Sequence, residues 1–155
     1  MKTKGIEIFV NRNGETGVGF PDILREIRNG ESFYWSILFL DAWYHEAEGN
    51  SIHVFDKDIN ESQSGFIMKW EELESFAPKL FNLLEIVVIG CKDESLLRRY
   101  DDDQEMYETS DIAIQLIDGW YWEVFSKDED LIDCLASKYK EINFIESDFL
   151  KDFDK

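Results

Sequence analysis

The chain has 155 residues, the size of one domain, and its 44% hydrophobic and 15% aromatic content excludes a chain too polar to fold. Its net charge of −18, from 34 acids against 16 bases, has the wrong sign for a phosphate-binding field and argues against nucleic acid or an anionic membrane as partner. Residues 1 to 40 balance five acids against five bases, so the whole excess, 29 acids against 11 bases, lies in residues 41 to 155.

Ile6, Ile8 and Val10 alternate as in a half-buried strand, and Asn13-Gly14 suits a tight turn, which predicts a first hairpin returning through Val18 and Phe20. Pro21 then fits the first turn of a helix. Ile23, Leu24 and Ile27 share one helical face and Asn29-Gly30 offers a left-handed stop, so a short helix is expected over 21 to 29. Phe33 to Glu46, crowded with aromatic and branched side chains, predicts a long central strand that turns at Glu48-Gly49-Asn50 into another at Ile52 to Phe55. Phe66 to Met68 adds a short strand. Trp70, Leu73, Ala77, Leu80 and Leu84 recur at helical spacing, and Pro78, which lacks the amide to bond back to Glu74, should kink or divide that helix. Glu85 to Cys91 reads as a buried strand.

The clearest local pattern comes late. Ile112, Ile114 and Leu116 alternate up to Asp118-Gly119, and Trp120, Trp122 and Val124 alternate away from it, as in a two-residue hairpin. Ser126 and Glu129 have the spacing of a capping box for a helix over about Lys127 to Lys140, whose apolar face is Leu131, Leu135 and Tyr139. A last strand at Ile142 to Ile145 precedes an acidic tail. The expected fold class is α+β: a mostly antiparallel sheet of five to seven strands, with two to four helices packed mainly on one face, in a single domain over 1 to 155. The opening MKTKGIEIFVNRNG has neither the apolar core nor the cleavage site of a secretory signal, and no apolar run approaches spanning length, so a cytoplasmic protein is expected.

Few residues suggest chemistry. Cys91 and Cys134 lie 43 positions apart without C-x-x-C pairing, so neither a zinc cluster nor a disulfide framework is indicated. His45 and His53 flank a turn, but no third ligand is fixed by spacing. Asp56, Asp58 and Asn60 alternate like a calcium loop, which then fails at Glu61, where glycine is required, and at Ile67, where the bidentate glutamate belongs. No metal or cofactor is therefore expected. Asp41, embedded in an apolar strand, and Glu123, between Tyr121 and Phe125, form the one carboxylate pair with differing surroundings, as a small hydrolase would need, although nothing in the spacing requires them to meet. Nucleophile elbows, phosphate loops and dinucleotide fingerprints are missing.

The remaining feature is surface character. The run Asp101, Asp102, Asp103 and Glu105 leads into the hairpin bearing Trp120 and Trp122, and acids beside aromatics suit recognition of a basic protein surface. The segment IAIQLIDGWYWEVFSKDEDLIDCLASKY, in a small, acidic chain poor in motifs, resembles bacterial immunity proteins that neutralise cognate toxins. The resemblance covers residues 111 to 139 and is one of type. It implies an inhibitor that covers the basic active surface of a toxin, often a nuclease. The expected function is thus an acidic protein-binding module for a cationic partner, contacting it through Asp101, Asp102, Asp103, Glu105, Trp120 and Trp122. The alternatives are the hydrolase and a nucleic-acid mimic whose acids are spaced like phosphates.

Overall fold

The computed structural model describes residues 2–10, 17–45, 51–52 and 59–148. The alternating segments pair into one sheet. Its strands are β1 (Lys4–Phe9), β2 (Tyr34–His45), β3 (Ser51–Ile52), β4 (Phe66–Met68), β5 (Leu80–Cys91), β6 (Ile112–Ile117), β7 (Tyr121–Ser126) and β8 (Ile142–Glu146). Seven strands follow the order β3-β2-β5-β6-β7-β1-β8, and β4 pairs with β2 off this path. Every pairing is antiparallel. The helices with fully described bounds are α1 (Phe20–Arg25), α2 (Trp70–Phe76), α3 (Asp103–Thr109) and α4 (Glu129–Lys138); residues 59–61 are also helical, which makes one helix more than the two to four expected, and short 3-10 turns lie between other elements. The class is α+β, and the helices pack mainly on one face of the antiparallel sheet, as the patterning implied.

Strand period 2 sends alternate side chains to opposite faces, and each face has its own core. On the first face, Ile6, Ile8, Trp35, Ile37, Ile86, Ile114 and Trp122 are buried under Ile23 and Leu24 of α1, Leu73 and Phe76 of α2, and Leu131, Ile132 and Leu135 of α4. On the second face a smaller cluster of Leu38, Ile89, Ala113 and Phe125 packs against Leu97 and against Met106 and Tyr107 of α3. Gly5 makes room there. A Cβ at that position would stand 2.5 Å from the Phe125 ring, so only glycine lets the ring lie across β1.

Three local expectations give way to longer-range pairing. The first hairpin does not form: Asn13-Gly14 lies outside the described residues, Val18 is in no strand, and Phe20 opens α1, where it stacks on Trp122 at 5.8 Å. Both edges of β1 are taken by β7 and β8, which satisfies its backbone groups and buries Ile6 and Ile8 more completely than a neighbouring return strand would. The helix after Trp70 stops at Phe76, and a 3-10 turn at Ala77–Lys79 contains Pro78. Leu80 and Leu84 then belong to β5, which pairs with β2. Finally, α4 is capped by Asp128, whose carboxylate accepts from the amide of Asp130, because Ser126 still pairs with Ile112 at the end of β7. The Ser126 hydroxyl instead accepts from the amide of Asp128. The strand expected at Ile52 to Phe55 is described only at Ser51–Ile52.

Candidate functional site

The β6–β7 hairpin sets the register of the second face. Asp118 and Gly119 adopt φ of 53° and 66°, the doubly left-handed backbone of a type I′ turn. This turn aligns Gln115 with Glu123 and Ile117 with Tyr121. On the far side of β7, β1 sets Glu7 opposite Glu123 and Phe9 opposite Tyr121, and β8 adds Asn143 opposite Glu7. Two rows thus cross the sheet, one polar (Gln115, Glu123, Glu7, Asn143) and one apolar (Ile117, Tyr121, Phe9). Glu85, on β5, is aligned with Asp41 of β2.

Helix α3 covers part of the polar row through Tyr107. The Tyr107 ring stacks on Phe125 with centroids 3.9 Å apart, and its hydroxyl lies 2.7 Å from Glu123 Oε2 and 2.8 Å from Gln115 Oε1. A phenol has one proton to donate. The hydroxyl therefore donates to one of these groups and accepts from the other, either from a protonated Glu123 or from a Gln115 amide turned to present its NH2. The first arrangement agrees with the surroundings. Glu123 is 3% exposed, and burial pushes its carboxyl up to about 7; Glu7 and Asp103 push the same way, and only the Tyr107 hydrogen bond opposes them.

Neighbouring groups are shifted in the same sense. Burial raises the Glu7 carboxyl against a hydrogen bond from Asn143. Glu85 is raised by burial, by a hydrogen bond shared with Asp118, and by the charges of Asp118 and Asp41. The Tyr121 hydroxyl is raised by burial and then by Glu123, Glu7 and Asp118. Six bases are engaged elsewhere: Lys2 with Glu146 and Asp148, Lys4 with Asp133, Arg25 with Asp22, Arg98 with Glu105, Lys127 with Asp111, and Lys138 with Glu26. Among the described residues, none of these ion pairs reaches Glu7, Glu85, Asp118 or Glu123.

The residues singled out from sequence are divided by the fold. Asp102 caps α3, accepting from the amide of Glu105 at 2.8 Å, while Asp101 and Asp103 are exposed beside it. Glu105 pairs with Arg98 at 3.3 Å, and the Arg98 guanidinium lies 4.1 Å from the centre of the Tyr100 ring. That run therefore starts and holds a helix, although its outer carboxylates face water. Trp120 is 45% exposed beside the hairpin turn. Trp122 is 1% exposed, with its indole nitrogen donating to the carbonyl of Val18 at 2.8 Å, so this residue belongs to the core and not to a contact surface. The alternation of β7 sends Trp122 and Val124 inward together, and composition alone does not distinguish the two indoles.

Asp41 and Glu123 are not brought together. With β5 and β6 between β2 and β7, their strands stand roughly 14 Å apart at about 4.8 Å per step. His53 and the Asp56 and Asp58 positions lie outside the described residues. Asn60 uses its amide to bond the backbone of Leu40. Among the described residues, no group of three His, Cys, Asp or Glu side chains is placed to hold a metal ion, and no helix is long and apolar enough to cross a membrane.

Glu7, Glu85 and Tyr107 went unnoticed in the sequence. Glu7 sits in a plain alternating strand, where the outward position reads as solvated, and its register opposite Glu123 arises from a pairing over more than a hundred residues. No protein-family model, curated protein or solved structure matches the chain.

Proposed function

We propose that the protein is an acidic protein-binding module that neutralises a cationic protein, in the way an immunity protein covers the active surface of a nuclease-type toxin. The observation that supports this reading is the gathering of Glu7, Glu85 and the turn residue Asp118 around partly exposed Ile117, Tyr121 and Phe9 on one sheet face, where none of the ion pairs named above reaches them. Burial is the first cause of the raised proton affinity of these carboxyls, and the charges of neighbouring carboxylates add a negative field at Glu85 and Glu123. An arriving lysine or arginine relieves that field, and long-range attraction speeds the encounter. The apolar row supplies area that water leaves on contact.

The hydrolase reading loses its proposed pair, since Asp41 and Glu123 lie on strands separated by two others. The test is co-purification from the native host at low salt. The expected result is recovery of a basic protein that is released by salt and whose activity falls in proportion to the amount of this chain added. A recovered partner with unchanged activity, or none at all, would count against the proposal.

A further inference from the structure

Resting on that function, we infer that the cationic partner docks on the half of the second sheet face that no described element covers, and not on the Asp101 to Glu105 run, through an element that interleaves lysine or arginine with apolar side chains. An antiparallel sheet with one solvated face carries polar residues at its outward positions. Here β6, β7 and β1 place Ile117, Tyr121 and Phe9 outward, side by side and partly exposed. Helix α3, seven residues long, packs over Ala113 and Phe125, one row further along; its hydrogen bonds to the polar row come from Tyr107, and the charge of Asp103 also acts on Glu123. The apolar row beyond it is flanked by Glu7 on one side and by Asp118 at the turn, with Glu85 on the neighbouring β5 strand.

Charge selects the occupant. A second copy of the chain would set this acidic face against another surface of a molecule with net charge −18, whereas a cationic element meets carboxylates of opposite sign. An element of pure charge leaves the apolar row wet, while alternating basic and apolar side chains match both rows. The Asp101 to Glu105 run offers less: Asp102 is engaged as a cap and Glu105 is paired with Arg98.

The experiment is amide-resolved NMR titration of the full chain with two synthetic probes, a short peptide alternating lysine with valine and an oligolysine of equal charge. The inference predicts that the alternating peptide shifts Glu7, Glu85, Ile117 and Tyr121 and binds about tenfold more tightly than oligolysine, since a buried aromatic anchor is worth about that factor. Tyr121→Ala should erase the preference. The pair Glu7→Gln and Glu85→Gln, which removes charge without removing volume, should weaken both probes, and Asp101→Asn with Glu105→Gln should change neither. Shifts spread over the whole surface, or centred on residues 101 to 105, would overturn the inference. In that event a basic partner still captured from the host leaves the proposed function standing with its surface misplaced, whereas absence of any cationic partner removes both.

Discussion

Glu123→Gln is the substitution that probes the second face most sharply. The carboxyl moves from an ordinary 4.5 to about 7 in the folded protein, so the folded state holds its proton more tightly than the unfolded chain does. For an acid shifted upward, the stabilising contribution is fully present below the unfolded value and is lost as pH rises from about 4.5 towards 7. At about 1.4 kcal/mol per unit, the complete loss by pH 8 is about 3 kcal/mol as an upper bound. Glutamine keeps the shape, stays neutral and donates from its amide NH2 to the Tyr107 hydroxyl, as the protonated carboxyl does. Urea denaturation of both proteins between pH 4 and 8 should therefore give matching stabilities at pH 4 and a variant more stable by up to about 3 kcal/mol at pH 8. A variant destabilised equally at both ends would refute the reasoning, because it would mean that an ionised Glu123 is held by Tyr107 at a net gain.

Other substitutions test the packing. Gly5→Ala should cost about 1–3 kcal/mol, seen as a lowered urea midpoint, because its Cβ would press on the Phe125 ring at 2.5 Å. Arg99 donates to the carbonyls of Leu38, Ile59 and Ser62 at 2.6, 2.7 and 2.7 Å. Arg99→Lys keeps the charge but loses the planar fork, so thermal unfolding should show a loss of about 2 kcal/mol; an unchanged midpoint would mean that the three carbonyls are satisfied by water. Trp122→Ala should cost about 3–5 kcal/mol and Trp120→Ala about 0.5 kcal/mol or less, and near-equal losses would contradict their opposite placements.

Where the pattern was local and strong, the sequence revealed the structure. The Asp118-Gly119 hairpin rests on contacts within a few residues and the break at Pro78 on a proline that acts alone, while the strand at Phe66–Met68 and the long strand through Trp35 show in their branched and aromatic composition although their partners are distant in sequence. The misread segments are those where a distant partner competes with a local preference. Ile6 and Ile8 lie beside a turn dipeptide, yet β1 pairs with strands near the other end of the chain; Leu80 and Leu84 have helical spacing, yet β2 offers an edge. The face of the candidate site had the same fate. Glu123 stood out because apolar residues surround it, but Glu7, Glu85 and Tyr107 join it through register, and register is a property of the folded sheet. The acidic run at 101 to 105 is conspicuous in sequence because its charges are consecutive, and consecutive charges at a helix start are accounted for by capping and by the helix dipole.

The central claim, that carboxylates gathered on the open sheet face receive a cationic partner, is tested most directly by the salt dependence of binding. Affinity of the recovered basic protein would be measured across a salt series for the natural chain and for the Glu7→Gln, Glu85→Gln variant. Weaker binding at low salt and a shallower salt dependence in the variant are predicted, because fewer opposed charges are then brought together. Two superimposable salt series would contradict the account, since they would show that these carboxylates take no part in holding the partner.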